Sequence, residues 1–159
     1  MTSSAPRQSP FDRWPVQHDD PRYGYAWYCG RGLIVSQTTV SHGSKEAAYA
    51  YHDYEGTILR LHAEEIAAAG GLFVIHDWRT LATYDTEARR VWQERMKSRK
   101  KGYLRGSVVC LTQAAPLLKM AVQAANLWAS VLHGAKVELT SDIRAALLAH
   151  NAFPEGVRP

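Results

Sequence analysis

The sequence predicts a single α/β domain on a mixed sheet of about five strands, in the order β-β-α-β-α-β-α-β-α. Three observations lead there. Short β-branched or aromatic runs alternate with longer segments of helical periodicity. The first two runs flank Gly30-Arg31-Gly32, a hairpin signal that pairs them antiparallel. The run Leu72-Phe73-Val74-Ile75 is apolar on both faces, which marks a central strand with a parallel neighbour.

Composition sets the bounds. The chain has 159 residues, 46% hydrophobic and 21% charged, with a formal charge of +4. That suits one globular core. No apolar run approaches the ~20 residues that span a bilayer. The polar, proline-rich start lacks the apolar centre of a signal peptide, so a cytoplasmic protein without membrane insertion is expected. Cys29 and Cys110 fall in expected strands and read as two buried thiols.

Each element has a local cause. Residues 1–22 hold four prolines, several serines and many charges, and read as a flexible tail, with Phe11 and Trp14 able to dock. Strands are expected at 23–29 and 33–40. Ser44 can cap a first helix at 45–69, where Ala47, Tyr51, Tyr54, Ile58 and Leu61 recur at helical spacing and Gly70-Gly71 supplies the stop. After the strand at 72–75 comes a second helix at 86–101, then a strand at 107–111. A third helix follows at 115–133, with Pro116 in its permitted first turn. A last strand at 135–139 and a fourth helix at 142–150 complete a domain of 23–153, leaving a short tail at 154–159.

One segment carries a family pattern. His76-Asp77-Trp78-Arg79 ends a buried strand in an aspartate, and eight residues later Asp85 precedes Thr86 at a helix start. This resembles the STAS domain, the family of bacterial anti-sigma-factor antagonists. There, an Asp-Ser pair opens the corresponding helix and the serine is phosphorylated. The resemblance implies Thr86 as phosphoacceptor, with Asp85 and Asp77 beside it. Threonine replaces the usual serine, and Glu87 would repel a phosphate. Read without the family, Asp85 or Thr83 simply caps the helix, and Asp77 pairs with Arg79 or Arg95. Arg95 falls on the apolar side of the second helix and calls for a carboxylate, Asp77 or Asp85.

Catalytic and metal-binding spacings are absent. None of the seven histidines forms His-x-x-x-His or a His/Cys cluster. No phosphate loop or nucleophile elbow occurs, so no catalytic residue, metal or cofactor is expected. An acid/base pair assembled from distant residues, such as His76 with Asp85, stays open. Arg89, Arg90, Lys97, Lys100 and Lys101 form a basic patch. It would suit an acidic partner rather than nucleic acid, or stand as a solvated helix face.

The third helix is apolar over roughly twice the ~100° stripe that covers a sheet. Leu118, Val122 and Ala129 belong to one face; Met120, Ala124, Leu127 and Val131 form a second. The second face calls for cover by the fourth helix, by a protein partner or second copy, or by a lipid-like ligand. The expected function is a non-enzymatic regulatory or scaffolding module acting by protein-protein binding, as a homodimer or with a partner. The alternatives are a domain binding a small apolar ligand and an enzyme with an unrecognised acid/base site.

Overall fold

The structure is a computed structural model that describes residues 9–112 and 115–159. A 3-10 turn (Phe11–Arg13) precedes β1 (His18–Asp20), β2 (Gly24–Tyr28), β3 (Leu33–Thr38) and β4 (His42–Gly43). Then come α1 (Lys45–Leu61), α2 (Ala63–Ala68), β5 (Leu72–Asp77), β6 (Thr83–Tyr84) and α3 (Thr86–Ser98). The chain continues through β7 (Leu104–Cys110), α4 (Pro116–His133), β8 (Lys136–Thr140) and α5 (Ile143–His150).

The main sheet has the order β1-β2-β3-β5-β7-β8. The hairpin is antiparallel, and β3, β5, β7 and β8 run parallel. The α/β class and mixed sheet are as expected, with six strands rather than about five. β4 and β6 form a separate two-stranded ladder. The expected first helix is two helices, because His62 leaves helical geometry (φ −123°, ψ 25°) and its ring stacks on Tyr28 at 3.9 Å. Gly134 ends α4 in the left-handed conformation that glycine adopts without a Cβ clash.

The strand order explains where the helices lie. From β3 to β5, β7 and β8, each step moves one strand over in the same direction. Crossovers of one hand then place α1, α3 and α4 on one face. The other face is left to α5 and whatever else can reach it. That is where the expectation of a flexible tail at 1–22 fails. Phe11 is 0% and Trp14 4% exposed. Phe11 stacks on Trp27 at 5.2 Å, and the Trp27 indole donates to the Pro15 carbonyl at 2.6 Å. His18–Asp20 adds the edge strand β1. One α5 cannot cover six strands, so the N-terminal aromatics complete that layer. Residues 1–8 lie outside the described residues. At the other end Pro154 is buried and Val157 packs on the same core, so these parts of the expected tail at 154–159 are anchored.

The two faces differ in packing. The α5 face is one continuous cluster, with Trp27, Val35, Ile75, Val108, Ile143 and Leu147 at its centre. The other face divides into three clusters. One holds Tyr51, Ile58, Ile66 and Val74. A second joins Leu81, Val109, Leu118 and Val122. A small third joins Ala48 of α1 to Ala88 and Val91 of α3.

Candidate functional site

A cavity of about 670 Å³ opens on this divided face, bounded by α1, α3, α4 and the strands β3, β5 and β7. Protein interiors rarely hold voids larger than a water molecule, whereas small-molecule sites span roughly 300–1,000 Å³. Its lining is chiefly apolar, with Trp78, Trp92, Leu118 and Val122 among the contributors. The buried polar groups of the lining come from the strands and α1.

Strand alternation supplies one set. Ser36 and His76 are partners across β3 and β5, and the Ser36 hydroxyl lies 2.9 Å from His76 Nδ1. Ser107, on β7, is buried on the same face as Val74. Burial pushes the His76 imidazole down to about 4, so it is neutral near pH 7. Helix α1 supplies the other set. The Tyr51 hydroxyl donates to Glu55 Oε2 at 2.9 Å, and Arg99 reaches Glu55 Oε1 at 3.4 Å. Burial alone would raise the Glu55 carboxyl. The proximity of His52, the Tyr51 hydroxyl and the Arg99 charge outweigh it and hold Glu55 below the ordinary carboxylate range. His52 is buried beside it. Its Nδ1 lies 3.9 Å from Glu55 Oε1, and both ring nitrogens lack a hydrogen-bond partner among the described residues. Trp92 of α3 stands at the centre, with ring centroids 4.8 Å from Tyr51, 4.5 Å from His52 and 5.6 Å from Trp78.

The residues expected from the family pattern are not brought together. Asp77 follows His76 on β5 and therefore faces the opposite side of the sheet. There it is buried, binds Arg79 at 2.7 and 2.9 Å, and accepts from Gln37. Asp85 caps α3, accepting from the Ala88 amide at 2.6 Å, and lies 3.8 Å from His42. Thr86 is exposed in the first turn, next to Glu87, which pairs with Lys45 at 3.3 Å. The expectation that Arg95 turns inward to a carboxylate is also corrected. Arg95 is exposed, and the arginine that turns in is Arg99, just past the helix end where the chain changes direction. Arg89, Arg90, Lys97, Lys100 and Lys101 are exposed, with Lys97 lying 4.8 Å from the Trp128 ring of α4.

On α4, Leu118, Val122 and Ala129 are buried against the sheet side. Met120, Leu127 and Val131 are 65%, 66% and 69% exposed, and Ala124 is exposed between them. Cover of this face by the fourth expected helix is overturned, because α5 packs on the other side of the sheet.

The convergence of His52 and His76 is not written in any sequence spacing, since the two lie on separate elements, α1 and β5. The available signal was different: Ser36, His76 and Ser107 interrupt otherwise apolar strands, and Glu55 interrupts the apolar face of α1. Both cysteines are buried and free, their thiols raised by burial to about 12 at Cys29 and about 11 at Cys110. Among the described residues no group of three His, Cys, Asp or Glu could hold a metal ion, and no helix is long and apolar enough to cross a membrane.

No family model matches the chain, and no curated protein matches it. Among solved structures it is similar to an uncharacterized protein of the DUF3478 family with a SpoIIAA-like fold from Shewanella loihica PV-4. Identity there is 17%, coverage is 74% of this chain and 82% of that chain, and the TM-score is 0.46. It is also similar to the anti-sigma factor antagonist SpoIIAA in its unphosphorylated form, at 9% identity, 84% and 99% coverage and a TM-score of 0.49. Each is a likeness of fold.

Proposed function

We propose that the chain is a non-enzymatic binding module that takes a small, largely apolar molecule into the cavity beneath α1, α3 and α4. The cavity itself carries this reading. It has the volume of a ligand site, an aromatic and aliphatic lining, and buried polar groups on the strands and α1. The neutral fluorescent probe N-phenyl-1-naphthylamine tests it. Saturable binding with one site per chain, accompanied by a change in tryptophan emission from Trp78 and Trp92, is the expected result. Partition without saturation would sink the reading.

A second reading, binding of a protein partner or a second copy, is favoured by the exposed side of α4. Leu117, Met120, Ala124, Leu127 and Val131 follow one another at spacings of three and four, and all are exposed. That is the seam one helix offers another, with Ala124 allowing close approach at its middle. The exposed cations of α3 would suit an acidic flank on the partner. Sedimentation should then show concentration-dependent assembly that Leu127→Lys with Val131→Lys abolishes while circular dichroism stays unchanged. A wild type that remains monomeric at high concentration argues against self-association.

A further inference from the structure

We infer that the cavity selects an amphiphile with an uncharged hydroxyl head, such as a long-chain alcohol, and discriminates against carboxylate and ammonium heads of equal chain length. This rests on the cavity being a ligand site, and it names the chemistry of the ligand's polar end.

Four observations carry it. The His52 ring is buried, lines the cavity and has no hydrogen-bond partner among the described residues. An imidazole left so is costly, and a ligand hydroxyl, which both donates and accepts, can pair with either ring nitrogen. Second, Ser107 and the Ser36–His76 pair add neutral hydrogen-bonding groups on the same wall.

Third, the buried charge is already balanced. Glu55 is the buried carboxylate of the lining, and Arg99 and the Tyr51 hydroxyl occupy its two oxygens. A cationic head would have to displace that guanidinium. Fourth, an anionic head finds no buried lysine or arginine in the lining. Among the described lining residues Arg89 is the one lysine or arginine, and it is exposed. Desolvating a carboxylate beside Glu55 without a partner is strongly unfavourable, whereas burying a hydroxyl is offset by the bond it makes to an imidazole. The hydrocarbon then lies along Trp78, Trp92, Leu118 and Val122.

Competition against N-phenyl-1-naphthylamine at pH 7.5 tests this, using 1-decanol, decanoate and decyltrimethylammonium, all below their aggregation concentrations. Decanol should displace the probe at least tenfold more effectively than either charged compound. His52→Leu should reduce that preference at least fivefold. Ser107→Ala, on a different strand, should reduce it too and serves if His52→Leu does not fold. Probe binding with decanoate or the ammonium compound equal to decanol, or with no displacement by decanol, overturns the head-group inference and leaves the cavity as a ligand site. An unchanged decanol preference in both variants overturns the assignment to this wall. Absence of saturable probe binding overturns the ligand site and the inference together.

Discussion

Glu55 is an anion inside a largely apolar layer, and its environment explains how the chain tolerates it. The Tyr51 hydroxyl and Arg99 hold both oxygens. Removing one partner of a fully enclosed pair costs roughly 3–5 kcal/mol. Arg99 is about a quarter exposed, so Arg99→Met should cost less, about 2 kcal/mol after allowing for solvent screening. A urea midpoint unchanged by that substitution would show that Glu55 does not depend on Arg99. His76 gives a pH signature. Its imidazole takes up a proton near 6.5 in the unfolded chain but only at about 4 in the fold, because burial disfavours the charged form. Between these values the unfolded state binds more protons, so stability falls as the pH drops from about 6.5 to about 4. At ~1.36 kcal/mol per pKa unit the loss is about 3 kcal/mol in all. The depressed Glu55 carboxyl acts lower down. Its contribution is complete above the ordinary value of 4.5 and is lost as the pH falls through its folded value. In His76→Gln, the urea midpoint should fall less steeply between pH 6.5 and 4 than in wild type. Equal slopes would place the proton uptake elsewhere, for example at His18, which burial also depresses.

At the scale of elements, the N-terminal segment changes status most. A turn of three residues has little stability of its own; it is held by what it buries. Phe11, Trp14 and Trp27 form an aromatic group with centroids 4.8 to 5.2 Å apart, and Phe153 stands 6.1 Å from Trp14. Trp14→Ala should therefore cost about 3 kcal/mol or more, the scale of a buried aromatic truncated in a core. Chemical denaturation followed by near-ultraviolet circular dichroism reports both the midpoint and the loss of the aromatic signal. A change below about 0.5 kcal/mol, the scale of an ordinary surface substitution, would return this segment to a dispensable tail. Other elements were legible because their causes are local. Ser44 and Asp85 cap α1 and α3 with 3.2 and 2.6 Å hydrogen bonds. Gly30, Arg31 and Gly32 all take positive φ in the hairpin turn. The break at His62 was not legible, because the Tyr28 ring that stacks on it lies on a distant strand.

For the molecule as a whole, the asymmetry between its two faces predicts unequal tolerance to added volume. Ala146 of α5 sits buried in the continuous cluster, while Ala125 of α4 is half-buried and borders the cavity. Both are helical, so propensity scarcely distinguishes an alanine-to-leucine change at the two sites. Ala146→Leu should cost about 1–3 kcal/mol through overpacking, and Ala125→Leu should cost under about 0.5 kcal/mol because space is already there. Equal costs would mean that the cavity closes in solution.

The sequence by itself determined the principal alternation of strands and helices, the antiparallel hairpin, the parallel centre, the Ser44 cap and the double apolar character of α4. Periodicity, turn chemistry and capping act over a few residues and are written in consecutive positions. Tertiary structure alone decided which face each helix covers, that Phe11 and Trp14 belong to the core, that Arg99 rather than Arg95 meets a buried carboxylate, and that His52 and His76 share one cavity. Those relations join residues far apart in the chain. They follow from the uniform direction of the crossovers, which crowds α1 to α4 onto one side of the sheet, leaves a space beneath α1, α3 and α4, and requires the N-terminal aromatics to help cover the other.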